Sequence, residues 1–232
     1  MIYREWFVNF RFPGYEKVKM LESGTGPIPD CWNVVSLRDV AGVNEQSLQV
    51  GNGIDEIVYV DIASVSTANI DNKVRMAFDK SPSRARRIVR HGDIIWSTVR
   101  PNRRSYALIL KPEPNLIVST GFAVLTAHAV PYSYLYFATT TDAFAEYLTN
   151  HASGSAYPAV NAGDFESAQL LKPPAPLLNQ FHAIAADMMN LRHCLHLRNL
   201  HLRQTRDLLL PKLISGELSV EQFEAEAVAQ SV

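Results

Sequence analysis

LLNQFHAIAADMMNLRHCLHLRNLHLRQTRDLL, residues 177–209, is the stretch from which the architecture of this chain follows. Pro173, Pro174 and Pro176 precede it and Pro211 follows it. A helix tolerates proline in its first turn and refuses it in its interior, so these residues bracket one uninterrupted helix of 33 residues. At the α-helical rise it would be about 50 Å long. Apolar side chains recur by threes and fours through Phe181, Ile184, Met188, Leu191, Leu195, Leu202 and Leu209, with Arg198 and Thr205 filling the two remaining steps. A mean step of about 3.5 residues is the seam of a left-handed coiled coil. A core of ordinary diameter cannot cover a helix this long, so the seven apolar residues are read as a dimer or subunit interface. Cys194, Leu197, His201 and Leu208 form a second strip beside the seam. The plainer alternative is a long surface helix packed on its own domain.

The 232 residues have an ordinary globular composition and a net charge of −1. That average hides an asymmetry. From Lys73 to Arg104 there are ten basic residues against two acidic ones, +8 locally, which leaves −9 for the rest. A basic block in an otherwise acidic chain is the footprint of a polyanion site; a solvated charged face is the bland alternative. Two cysteines, Cys31 and Cys194, are too few for a disulfide framework or a zinc ribbon. Residues 1–11 do not read as a signal peptide and no apolar run approaches a membrane span, so a cytoplasmic protein is expected.

In chain order, residues 1–20 are rich in aromatics: Tyr3, Trp6, Phe7, Phe10 and Phe12. They are expected to pack on the domain or on the long helix of a partner. Gly24, Gly26, Pro27 and Pro29 make a turn-rich joint and suggest a domain boundary near residue 20. Short strands are expected at Ile57–Ile62, Ile94–Val99, Tyr106–Leu110, Leu116–Val118 and Phe122–Leu125, and helices at Tyr132–Phe137 and Ala143–Leu148. Residues 153–161 read as a loop around Tyr157 and Pro158. The fold class is α/β (α+β): a mixed-strand globular domain at 21–175, a long helix at 176–210 and a tail at 211–232.

Several stretches resemble one family. Gly92-Asp93-Ile94-Ile95, the run Ser97-Thr98-Val99-Arg100-Pro101-Asn102-Arg103-Arg104, and Ser119-Thr120-Gly121-Phe122-Ala123-Val124-Leu125 resemble the target recognition domain of type I restriction-modification specificity subunits. So do Gly154-Ser155-Ala156-Tyr157-Pro158-Ala159-Val160-Asn161 and Pro173-Pro174 followed by Gln180. The run from Arg203 to Glu217 is similar to the end of that family's long helix, and the matches extend from about residue 30 to 217. Members usually hold two recognition domains and two antiparallel long helices, whereas this chain has one of each. Tyr3 to Phe10 resembles the tail that follows the first long helix of full members, so the chain looks like a C-terminal half. A homodimerising half-subunit and a fragment of a disrupted frame are both consistent with this.

The resemblance implies a non-catalytic subunit that binds one half of a bipartite site on double-stranded DNA. It would dock the methyltransferase subunit and, through it, the restriction subunit. S-adenosylmethionine and ATP with magnesium would then sit on those partners, and this chain would bind no cofactor. The sequence itself points the same way. No acidic residue or asparagine precedes a Pro-Pro-aromatic triplet, as an adenine methyltransferase would need. Gly51-Asn52-Gly53 reads as a turn and not a nucleotide cradle, and there is no Walker-type loop. His193 and His196 have i, i+3 spacing without a matching third ligand, and Asp55, Glu56 and Asp61 lack a nuclease arrangement.

For DNA contact the candidates are Arg100, Asn102, Arg103 and Arg104 on an expected loop tip, with Lys73, Arg75, Arg84, Arg86 and Arg87 as phosphate-binding support. Ser155, Tyr157 and Asn161 form a second candidate loop. The loop near Arg84 matches no family motif and is therefore expected to carry more of the specificity than the recognisable one at Arg100. A stand-alone homodimeric DNA-binding or scaffold protein is the alternative; a two-fold homodimer would read a palindrome.

Overall fold

The structure, a computed structural model, describes residues 2–24, 26–49 and 53–218. Gly51 and Asn52 of the expected turn, and the tail from residue 219 onward, lie outside the described residues. Residues Met1–Ala186 form one compact unit and Asp187–Val232 a second.

The first unit opens with one π-type helical turn, Arg4–Val8, and the hairpin of β1 (Met20–Ser23) and β2 (Gly26–Pro29). Next come β3 (Asn33–Ser36), β4 (Ala41–Val43), β5 (Glu56–Val60), the small pair β6 (Val65–Ser66) and β7 (Asn69–Ile70), then β8 (Val74–Ala77) and β9 (Ala85–Ile88). They are followed by β10 (Ile94–Ser97), β11 (Tyr106–Leu108), β12 (Leu116–Ser119) and β13 (Phe122–Ala127). Helices α1 (Tyr132–Ala138), α2 (Asp142–His151) and α3 (Ala162–Ser167) lead to β14 (Gln169–Lys172) and the long α4 (Ala175–Ile214). The five expected strands and two expected helices are present. The chain is an α/β domain with a long helix.

Two four-stranded sheets make the core. One, ordered β11-β10-β13-β4, is antiparallel throughout. The other, ordered β8-β5-β12-β9, contains one parallel pair, β12 with β5. Val58, Val60, Leu116 and Val118 of the second sheet meet Ile95, Ala107, Phe122 and Val124 of the first in one buried cluster. The opposite face of β10 buries Ile94 and Trp96, the latter against Phe144 of α2, with its indole N–H donating to the Thr139 carbonyl at 3.0 Å. Covered on both faces, β10 and β12 read as unbroken apolar runs, and each fully buried aliphatic side chain contributes about 1.5–3 kcal/mol.

Nine of the fourteen strands among the described residues were not expected, β8 and β9 among them. β8 and β9 lie at the two edges of the second sheet, β8 carrying Arg75 and β9 carrying Arg86 and Arg87. The basic loop read near Arg84 is therefore largely an edge strand; charge on an edge blocks pairing with other chains and masks the strand pattern.

The N-terminal aromatics pack on their own domain. Tyr3 and Phe7 are buried against Phe181 of α4 and Tyr134 of α1, and Phe7, Phe10 and Phe12 surround Trp32. Burial pushes the Tyr3 and Tyr134 hydroxyls above the usual phenol range. Since residues 1–186 form one unit, Gly26, Pro27 and Pro29 of the expected joint lie in strand β2 within it, and no domain boundary falls near residue 20.

α4 starts two residues earlier than the prolines implied and runs through Pro211 to Ile214. Pro211 sits in the last turn, so its missing N–H costs a single bond to the Asp207 carbonyl, on a residue open to solvent. Gly216, at φ +74°, ends the helix, with its N–H donating to Leu213 O. Leu177, Leu178, Phe181 and Ala185 are buried in the first unit. Phe181, fully buried, is thus a core residue and not part of an interface seam. Ile184, Met188, Leu191, Leu195, Leu202 and Leu209 are exposed, as are Leu197 and Leu208 of the second strip. The helical part of the second unit, residues 187–214, is roughly 42 Å long.

Candidate nucleic-acid interface

The turn between β10 and β11 is a single 3-10 turn, Pro101–Arg103, with Arg100 and Arg104 both in left-handed backbone conformation on either side of it. A non-glycine residue there costs on the order of 1–3 kcal/mol and persists only where its surroundings impose it. Here the neighbouring loop supplies the constraint. The Arg100 N–H donates to Pro158 O at 2.7 Å, Val160 N–H to Thr98 O at 2.9 Å, and Val99 bridges to Ala159.

That neighbour, residues 153–159, is closed by reciprocal bonds between Ser153 and Ala159, both 2.9 Å, leaving Ser155 and Tyr157 exposed at its tip. Gly154 makes the turn at φ +97°, where an added Cβ would come within 3.1 Å of Tyr157 O. On the other side, Thr98 donates from its N–H and its hydroxyl to Gly121 O, each at 2.9 Å, and Thr120 N–H donates to Arg84 O at 2.8 Å. A continuous ladder of bonds thus joins Arg84, the Thr120-Gly121 turn, Arg100 and the Tyr157 loop. A Cβ at Gly121 would meet Ile62 Cδ1 at 2.0 Å, so a larger residue there would force the Ile62 side chain to move.

The basic block is not one patch. Arg84, Arg100, Asn102, Arg103 and Arg104 lie along this ladder, whereas Lys73 precedes β8 and Arg75 lies on it, three strand spacings from β9, or about 14 Å. Lys73 and Arg75 are neutralised: Glu113 takes Lys73 at 2.9 Å and Arg75 at 3.2 Å, and Glu56 takes Arg75 at 2.7 Å. These bonds raise the Arg75 guanidinium and hold the Glu113 carboxyl below the usual carboxylate range. Arg86 lies over the Phe78 ring at 5.1 Å, and Arg87 donates to Ser47 Oγ at 3.1 Å, its pKa lowered by burial. Arg104 pairs with Asp142, and Arg84 stands 3.9 Å from Asp61. Asn161 is occupied as the N-cap of α3, accepting from Asp164 N–H while Asp164 answers its own N–H, which makes it a capping residue.

Arg100 reaches across the ladder to Tyr157, its guanidinium carbon standing 4.8 Å from the ring centroid. Thr98 and Gly121, which hold the two loops together, belong to the motifs of the sequence without having been read as site residues; the turn signal Ser119-Thr120-Gly121 was the available hint. Among the described residues no cluster of histidine, cysteine and carboxylates could hold a metal ion, and no helix is long and apolar enough to cross a membrane.

No family model matches the chain. Over 70 residues it is 33% identical to the type I restriction enzyme MjaIX specificity subunit of Methanocaldococcus jannaschii, a match covering 30% of this chain and 16% of that protein. The crystal structure of the HsdS subunit from Thermoanaerobacter tengcongensis matches 82% of this chain with a TM-score of 0.59 and 26% identity, using 49% of that subunit. A chain from the structure describing complex assembly and conformational transition of the type I R-M system matches 83% at a TM-score of 0.61 and 26% identity, using 51% of its length. The S subunit of M. genitalium shares the fold, with a TM-score of 0.50 and 14% identity over 85% of this chain and 50% of that one. The chain spans about half the length of the solved subunits it matches. The similarity to type I specificity subunits expected from the motifs is borne out.

Proposed function

We propose that this relative of type I specificity subunits is a non-catalytic DNA-specificity subunit that reads one half of a bipartite target. The observation that carries the reading is the ladder joining Arg84, Arg100 and the Tyr157 loop, which brings basic side chains from two separate segments beside one exposed loop. It sits in a fold matched at 26% identity by half of a solved specificity subunit. Phosphate contacts from Arg103 and Arg84 set position and affinity, while contacts to base edges set sequence.

The exposed leucine-rich face of α4 is the surface for assembly. A second copy paired antiparallel through Ile184, Met188, Leu191, Leu195, Leu202 and Leu209 would place one domain at each end and restore the two-domain count of the relatives. A methyltransferase subunit then docks on the paired helices, bringing S-adenosylmethionine, and the restriction subunit with its ATP and magnesium associates through it. Co-expression with the neighbouring methyltransferase subunit in a methylation-free host, followed by mapping of every modified base, tests this. A bipartite palindromic pattern is the expected result. A soluble methyltransferase that neither binds the chain nor modifies DNA refutes it.

A further inference from the structure

Asp61 is an exposed acid beside the ladder of basic residues. β5 and β12 run parallel, with Val60 beside Val118, and β9 runs antiparallel to β12, with Ala85 beside Ser119. Asp61 and Arg84 therefore flank the Ser119–Gly121 turn at the same end of the sheet, and Ile62, the next residue, lies against Gly121. Glu56, at the other end of β5, pairs with Arg75 and does not share this place. Two arginines of the ladder face carboxylates, and the two pairs differ. Asp142 is closed by a direct hydrogen bond from Arg104. Arg84 stands 3.9 Å from Asp61, beyond hydrogen-bond reach.

Asp61 is fixed instead by its own segment. As N-cap of the 3-10 turn Ile62–Ser64, its Oδ1 accepts from Ile62 N–H at 2.7 Å, and the hydroxyl of buried Tyr59 donates to the same oxygen at 3.4 Å. The approach of Arg84 is also to Oδ1, so Oδ2 has no donor among the described residues, on a side chain that is 44% exposed. A carboxylate oxygen only accepts. In the major groove the donors are the amino groups of cytosine N4 and adenine N6, whereas guanine O6 and N7 and thymine O4 are acceptors and repel it. Adenine's amino group has the N7 acceptor beside it, and cytosine's has a C–H, so cytosine opposes a carboxylate with no lone pair. Phosphates repel the same charge, so an acid here penalises every site at which no amino group answers it. We propose that Asp61 reads a cytosine of the half-site through its N4 amino group. Asp61 lies in none of the stretches that resemble the family, which is where the specificity was expected. The inference rests on the specificity-subunit reading above and names a specificity-determining residue within it.

Selection of bound sequences from a randomised duplex library by the full chain, by D61A and by D61N tests it. The wild type is expected to select a half-site with a cytosine favoured about 5- to 150-fold over guanine and thymine. D61A should erase the preference at that one position, leave the others, and bind the disfavoured sequences at least as tightly as the wild type does, since a negative charge has gone. D61N keeps an acceptor for the Ile62 N–H, and so keeps the turn and the thermal unfolding of the wild type, while an amide N–H donor replaces Oδ2. It should turn the preference at that position from cytosine to guanine or thymine. A D61N chain that selects as the wild type does, or whose affinity changes by one factor for every sequence, would make Asp61 a counter-ion of Arg84 and overturn the proposal. A wild-type preference for any base other than cytosine at the altered position would overturn it as well. A wild-type chain that selects no sequence at all would instead remove the specificity-subunit reading, and this inference with it.

Discussion

Replacing Phe181 with alanine separates two roles that helical periodicity assigns to one residue. Phe181 continues the leucine series of α4, yet its side chain is fully buried in the first unit. Its ring meets Phe7 edge-on at 4.9 Å and 82°, Phe137 at 6.0 Å and 75°, Tyr3 at 6.1 Å and 68°, and Trp6 at 6.1 Å. Truncating a buried phenylalanine costs about 3–5 kcal/mol, and loss of edge-to-face partners places this site toward the upper end. Against a total of about 5–15 kcal/mol that is a severe loss. Leu202, 66% exposed in the single chain, is the contrasting position: L202A should change the stability of the unassociated chain by less than about 0.5 kcal/mol while weakening self-association. Urea unfolding at low protein concentration reads the first effect, and sedimentation over a concentration series reads the second. The reasoning is refuted if F181A unfolds at the wild-type midpoint and loses only association.

Three further outcomes follow from particular contacts. G121A forces the Ile62 side chain aside and should cost about 1–3 kcal/mol; in an I62A background most of that cost should vanish, measured as a double-mutant cycle by denaturant unfolding. Asp93 is buried, accepting from Arg90 N–H at 2.7 Å and Thr126 hydroxyl at 2.8 Å, and burial raises its pKa. The folded chain therefore holds that proton above the ordinary value of 3.8, so stability should fall as pH rises from 3.8 through the raised value; D93N should remove this slope at a cost within about 1 kcal/mol, and D93A should cost about 1–3 kcal/mol. N161A should lose about 1 kcal/mol of stability by uncapping α3, and N161S should restore most of it without altering base preference; a changed preference in N161S would make Asn161 a reader after all.

Much of this fold was legible because burial leaves a plain signature. Ile94–Ser97 and Leu116–Ser119 are covered on both faces, and their unbroken apolar runs declared them strands. Val74–Ala77 and Ala85–Ile88 were illegible, since edge strands that repel other edges carry the charge that otherwise marks loops. In α4 two stripes run side by side, Leu178, Phe181 and Ala185 buried and Ile184, Met188, Leu191 and Leu195 exposed. Their common three-and-four step gives no clue to which one Phe181 joins. Pro211 misled for a simpler reason: one turn from the end, a proline removes only one bond.

At the candidate site the charge was legible and its distribution was not. The counter-ions Glu56, Glu113 and Asp142 come from distant segments that strand pairing and helix placement bring in. The Arg100 and Tyr157 contact joins residues 57 positions apart and needed the ladder through Thr98 and Pro158 to appear.

The packing of Tyr3 and Phe7 against Phe181 has a consequence for biosynthesis. The first aromatic segment leaves the ribosome roughly 175 residues before its partner, an interval of about 9–35 s at 5–20 residues per second. Through that time several large rings lack their final contacts and depend on chaperones or on transient collapse to avoid neighbouring chains. Domain closure and the birth of the long helix are thus a single event, and a nascent chain that stalls before α4 is an aggregation-prone intermediate however complete its two sheets are.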